Sequence, residues 1–130
     1  MSKILLETIN LKKSFEHRNG TVELFNNVNL KVRRGDLIAL TGPSGSGKSS
    51  FLHLLALLDE PTKGKIILDD KDTKILKDEK KDLIRRERIS IIFQDNNLLS
   101  DFTAFENVMM PLIIRGEKSI SATKKTNKIF

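Results

Sequence analysis

The chain has no cysteine. Disulfides, a thiolate metal site and a cysteine nucleophile are thereby excluded. Tyrosine and tryptophan are also missing, so its aromatics are seven phenylalanines. Long apolar runs are absent too. The richest, residues 51–58, is far short of the ~20 residues that cross a bilayer. Residues 1–7 show no apolar stretch followed by a cleavage site, which argues against a signal peptide. His17 and His53 stand apart in the sequence, as solvated or partly packed side chains would. There are no internal repeats, no heptads and no low-complexity linker.

What is present fits one soluble domain. The chain has 130 residues, 38% of them hydrophobic and 31% charged, with a net charge of +6. That sign suits a nucleotide, an anionic membrane surface or nucleic acid. A lysine-rich surface and a basic tail account for it without any of them. The expected location is the cytosol, with docking on a membrane protein left open.

One stretch organises the rest. Gly42-Pro43-Ser44-Gly45-Ser46-Gly47-Lys48-Ser49 fits G-x-x-x-x-G-K-[ST], the phosphate-binding P-loop. Before it, residues 37–41 are apolar enough for a buried parallel strand. After it, residues 48–58 read as a helix with Phe51, Leu54, Leu55 and Leu58 on one stripe. Gly45 and Gly47 let the backbone turn its N–H groups inward. Those donors and the positive end of the helix suit a polyphosphate. Lys48 is placed for the β- and γ-phosphates and the Ser49 hydroxyl for Mg²⁺, with Ser50 beside them.

Taken in order, the chain opens with a strand over residues 4–11 and a turn at residues 16–20 that contains the hairpin pair Asn19-Gly20. Val22, Leu24, Val28, Leu30 and Val32 alternate, giving one or two half-buried strands broken at Asn26-Asn27. A β-rich antiparallel piece therefore precedes the loop. Residues 59–64 form a turn, 65–69 a short strand and 70–75 a loop. Residues 78–88 are strongly charged and read as an exposed helix with a basic end. The β-branched run 89–93 predicts a buried strand, with Gln94 at its end. Thr103 and Glu106 form a T-x-x-E capping box for a helix carrying Val108, Met109, Leu112 and Ile113 and perturbed by Pro111. Residues 119–130 have no helical or strand period and read as a disordered, lysine-rich tail. The expected division is residues 1–115 and a tail of 116–130.

To about residue 115 the layout resembles the ATP-binding subunit of ABC transporters. The P-loop matches the family's Walker A. Residues 59–64, Asp-Glu-Pro-Thr-Lys-Gly, are similar to its L-D-x-P-T-x-G turn. Ile91-Ile92-Phe93-Gln94 looks like the strand ending in the Q-loop glutamine. Leu98-Leu99 and residues 102–108 resemble its L-L-x-x-x-T-A-x-E-N-V. The form is closest to the lipoprotein-releasing and macrolide-export branch.

The resemblance implies an α/β P-loop NTPase fold of ABC type with an N-terminal antiparallel β piece. It implies an ATPase that couples ATP and Mg²⁺ to export or lipoprotein release, at the cytoplasmic face of the inner membrane. The partners would be a second ATP-binding subunit and integral membrane permease subunits, with no nucleic acid expected. Residues 42–50 would hold the phosphates, Lys48 and Gln94 would act in catalysis, and Ser49 and Gln94 would reach Mg²⁺. Phe15 stands where the family places an aromatic against adenine; an ordinary strand-end aromatic is the other reading. DNA-repair relatives carry a zinc site or coiled coil, for which cysteines and heptads are wanting here. Nucleotide kinases commonly begin at the P-loop strand, whereas residues 1–41 precede this loop.

The family continues with an L-S-G-G-Q signature, a Walker B Asp-Glu and a switch histidine, none of which occurs in these residues. The chain resembles the N-terminal half of such a subunit. ATP turnover by these residues alone is therefore not expected. A truncated remnant that at most binds nucleotide stays as the alternative.

Overall fold

The computed structural model describes residues 3–18 and 20–130. Asn19 of the expected hairpin pair lies outside the described residues. Two compact units divide at Lys81 and Asp82, a division different from the expected one at residue 115.

The first unit is built on a long antiparallel hairpin. β1 (Ile4–His17) pairs with β2 (Gly20–Arg33), from Ile4 opposite Arg33 to His17 opposite Gly20. On its other edge β1 pairs antiparallel with β3 (Lys63–Leu68), and β3 with the short β4 (Lys71–Asp72), giving the order β2-β1-β3-β4. The alternation in β2 places Val28, Leu30 and Val32 in partial burial between exposed neighbours. Leu24 is partly buried beside the likewise partly buried Phe25, and Val22, expected on the same face, is exposed near the turn of the hairpin. Helix α1 (Lys48–Leu55) lays Phe51 and Leu54 against Leu11 of β1 and Ile66 of β3. Leu6, Phe25, Val28, Leu30 and Leu55 close around them. Phe25 meets Phe51 edge to face, with centroids 5.6 Å apart and planes at 88°.

α1 ends at Leu55, earlier than the apolar stripe predicts. Leu57 adopts φ 59°, its N–H donating to Leu54 O at 3.0 Å while that of Leu58 donates to His53 O at 2.9 Å. This is the Schellman pattern, which reverses the chain and satisfies the last carbonyls.

Two asparagines shape the hairpin. Asn10 (φ 48°) and Asn27 (φ 55°) both take left-handed backbone, Asn10 at the register shift between Thr8 and Leu11 and Asn27 opposite the next one, between Leu11 and Lys13. Asparagine tolerates that region better than other residues with a Cβ. Asn29 ties the kink together: its Oδ1 accepts the Asn10 N–H at 2.8 Å and its Nδ2 donates to Asn27 O at 3.1 Å. Gly64 of β3 sits directly against this bulge.

The expected strand at residues 37–41 is not formed. These residues have no ladder and are exposed, Leu37 completely. The expected strand at residues 89–93 is likewise absent, with Ile92 completely exposed. An apolar β-branched run becomes a strand only when a neighbour takes up its N–H and C=O groups. Among the described residues neither run has one.

Helix α2 (Asp78–Arg88) has the predicted bounds and no buried residue. In the second unit, α3 (Ala104–Ile114) begins at the predicted capping box. Glu106 N–H donates to Thr103 Oγ1 at 3.3 Å, and Thr103 N–H donates to Glu106 Oε2 at 2.8 Å. Asn107 ties the preceding loop down: it accepts the Leu99 N–H at 2.8 Å and donates to the carbonyls of Leu99, Phe102 and Thr103 at 3.0–3.1 Å. Pro111 lies inside α3 without ending it.

The tail expected to be disordered is instead helix α4 (Ser119–Thr126), packed on α3. Ala122 and Thr126, four apart, are fully buried, and Thr123 Oγ1 donates to Met109 Sδ at 3.6 Å. Phe130 lies 6.1 Å from Phe105 between ring centroids, and Lys125 pairs with Glu117 at 2.7 Å. The buried face is made of small, partly polar residues, so a hydrophobic period does not reveal it.

The capping box carries a prediction. The Thr103 N–H, with the Thr103 hydroxyl, holds the Glu106 carboxyl below its ordinary value of 4.5. A depressed carboxyl stabilises the fold above pH 4.5 and loses that contribution as pH falls through the lower folded value. Thr103→Ala is expected to cost α3 about 1 kcal/mol at neutral pH. Amide exchange at Glu106 and Asn107 measures it: faster exchange in the variant, with the gap narrowing in acid as the Glu106 carboxylate takes up its proton. Equal exchange at neutral pH would contradict the assignment.

Candidate nucleotide site

The glycine-rich loop occupies residues 42–47 and runs into the first turn of α1. Gly47 is the helix N-cap, with φ 84° and no side-chain cap. Its conformation and its surroundings both demand glycine. A Cβ there would lie 3.0 Å from the Phe25 ring and 3.2 Å from Leu24 Cβ. β2 thus sets the distance of the loop from the sheet. Ser46 N–H donates to Pro43 O at 3.3 Å, and Phe51 N–H opens the helix on Gly47 O at 2.8 Å.

Lys48 folds back into the loop. Its Nζ donates to Gly42 O at 2.8 Å, to Pro43 O at 2.6 Å and to Ser46 Oγ at 3.4 Å. Residues 41–51 include no carboxylate, and the first turn of α1 has no acidic residue. The donor set is an ammonium, the hydroxyls of Ser44, Ser46, Ser49 and Ser50, and the N–H groups of a helix start. That set matches a polyphosphate and disfavours a free cation.

Phe15 lies on β1 in the same unit and is 46% exposed, so it is not a core residue. Lys13 Nζ sits 4.8 Å from its ring centroid. Lys13 itself is buried and pairs with Asp59 at 2.7 Å, in the turn after α1. Burial raises the Asp59 carboxyl, but the hydrogen bonds from Lys13 and the Glu60 N–H outweigh it and leave it below its ordinary value. The Glu60 carboxyl is lowered by Lys81, whose Nζ is 2.7 Å from Glu60 Oε1.

Gln94 belongs to the second unit, in an exposed bend outside any helix or strand. The geometry around Lys48 is that of the first unit alone. Sequence reasoning did not find Lys13 and Asp59 as a pair. They lie 46 residues apart and belong to different local motifs.

A glycine loop closed by its own lysine, at the start of a helix on a mixed α/β framework, defines a P-loop nucleotide-binding fold. The family profile described as ABC transporter matches residues 25–129, and the chain belongs to that family. It is 41% identical over 125 residues to the lipoprotein-releasing system ATP-binding protein LolD of Legionella pneumophila (strain Lens), covering 96% of this chain and 55% of that protein. It is 38% identical over its whole length to the protein of the same name from Rickettsia bellii, covering 57% of it. Among solved structures it resembles the dimeric ATP-binding cassette MJ0796 in a post-hydrolysis state bound to ADP and Pi. There the TM-score is 0.88 at 33% identity, covering 95% of this chain and 55% of that one. The chain thus spans about half the length of the curated relatives it matches. The matches run through the residues of α4, in line with its being an ordered part of the fold.

Proposed function

We propose that this chain is the nucleotide-binding part of an ABC transporter ATPase of the lipoprotein-releasing kind. The observation that carries the reading is the Lys48 ammonium held inside a carboxylate-free glycine loop at a helix start. Residues 42–50 take the polyphosphate of ATP, whose terminal phosphoanhydride supplies the driving energy. Lys48 neutralises the β- and γ-phosphates. Ser49 would offer its hydroxyl to Mg²⁺, Gln94 is proposed as a Mg²⁺ ligand from the family resemblance alone, and the exposed face of Phe15 would stack on the base.

The relatives' names, and the dimeric cassette among the structural matches, support the rest of the reading. A second ATP-binding subunit faces this one, and integral membrane permease subunits receive the motion. The complex acts in release of lipoproteins at the cytoplasmic face of the inner membrane, with this subunit peripheral. Among the described residues no helix is long and apolar enough to cross a membrane.

Titration calorimetry tests the reading. ATP should bind at least about tenfold more tightly than AMP, because charge-assisted hydrogen bonds to the outer phosphates are worth ~1.5–3 kcal/mol. Equal affinity for the two, or binding of neither, would refute it.

A further inference from the structure

Lys13 is 7% exposed, an unusual position for a lysine. Its Nζ is fully engaged. It donates to Asp59 Oδ1 at 2.8 Å and to Glu60 O at 2.9 Å, and it lies 4.8 Å over the Phe15 ring. The next residues are fastened to the same turn. Ser14 N–H donates to Thr62 Oγ1 at 3.0 Å, Thr62 Oγ1 donates to Ser14 O at 3.2 Å, and Thr62 N–H donates to Lys12 O at 2.9 Å. Lys12, Lys13 and Ser14 of β1 are thus stitched to residues 59–62. That turn follows α1, whose other end is the phosphate loop. One rigid helix of eight residues, ~12 Å long, therefore connects the loop to the clamp that holds Phe15.

We propose that Lys13 is a positioning residue for the base of the nucleotide: clamped by Asp59 and the Glu60 carbonyl, its ammonium backs one face of Phe15 and fixes the ring so that the opposite face is offered to a purine. The inference rests on the nucleotide reading above and deepens it. A cation behind the ring draws electron density toward itself. The free face becomes less negative, which lowers the π–π repulsion of a stacked base. Paired with Asp59, Lys13 adds little net charge to the phosphate loop. Its larger effect is therefore on ligands that carry a base, with only a screened, long-range effect on the phosphates.

The test uses the full chain and two ligands, ATP and inorganic tripolyphosphate, by titration calorimetry. Lys13→Met keeps the apolar stem and removes the charge. It is expected to weaken ATP about fivefold and tripolyphosphate by less than about twofold, the small common loss being the screened effect of the Asp59 charge left without its partner. Lys13→Arg, which can still pair with Asp59 and back the ring, is expected to retain ATP affinity within about twofold. In a Phe15→Ala background, Lys13→Met should have no further effect on ATP. Unchanged ATP affinity in Lys13→Met, an equal loss for both ligands in a folded variant, or a full additional loss on top of Phe15→Ala would each overturn the proposal.

If Lys13→Met does not fold by circular dichroism, Asp59→Asn replaces it, since it loosens the clamp and leaves the ammonium in place. It is expected to weaken ATP alone, about threefold, and wild-type ATP affinity there would overturn the proposal. A wild-type chain that binds neither ligand would overturn the nucleotide reading and this inference together. Wild-type ATP binding with indifferent variants would overturn this inference alone.

Discussion

Lys48→Ala is expected to weaken ATP binding about 10- to 100-fold, the worth of one charge-assisted hydrogen bond lost from a phosphate. The loss should be nearly the same for tripolyphosphate, because Lys48 reads charge and not the base. This separates it from any change at Phe15 or Lys13. The substitution is clean in structural terms. Among the described residues Lys48 Nζ bonds only within the loop, to Gly42 O, Pro43 O and Ser46 Oγ. The loop backbone from Thr41 to Gly45 is exposed, so water can take over the carbonyls that lose the ammonium. The hydrophobic packing of α1 comes from Phe51 and Leu54, further along the helix. Folding should therefore survive while binding fails. Titration calorimetry of the variant beside the wild type decides it. Affinity for ATP within about threefold of wild type, under 1 kcal/mol, would mean that Lys48 does not hold the phosphates.

Gly64→Ala is expected to be the most damaging small substitution in the first unit. Gly64 has φ 88°, a conformation that costs a residue with a Cβ roughly 1–2 kcal/mol. Space is the larger difficulty. The new methyl would lie 2.6 Å from Ile9 O and closer still to Asn10 O. These neighbours are backbone: Ile9 pairs with Lys65 in the sheet and Asn10 is held by its bonds with Asn29, so they cannot turn away as a side chain could. Displacing them opens the β1–β3 pairing beside Ile66, a core residue. Strain and overpacking together amount to about 2–5 kcal/mol. Against a typical domain stability of ~5–15 kcal/mol, that is enough to unfold a good part of the population. Urea denaturation followed by circular dichroism measures it, with a lower midpoint expected for the variant. A midpoint equal to wild type would show that β1 can move aside at Asn10. Gly45→Ala is the contrast. Its φ of 79° carries the conformational cost, but a Cβ there meets no atom within 4 Å, so its effect on stability should be clearly smaller.

What the sequence by itself determined is what short spacings encode. The loop at residues 42–49, the helix that follows it, the alternation of Val28, Leu30 and Val32 in β2 and the Thr103–Glu106 box each depend on residues within a few positions of one another. Backbone geometry converts such spacings directly into hydrogen bonds and faces. The charged helix at Asp78–Arg88 was legible for the same reason, since its propensity and end charges are local. Only the tertiary structure decided the rest. Residues 37–41 and 89–93 have strand composition but no strand, because a ladder needs partners that composition cannot supply. Residues 119–126 lack a hydrophobic period yet form α4, because Ala122 and Thr126 gain their burial from α3. The clamp of Lys13 on Asp59 joins residues from a strand and a turn that no local pattern relates. A contact across 46 residues depends on where the sheet and α1 bring the two side chains, and on the low exposure that makes a paired ammonium preferable to a lone one.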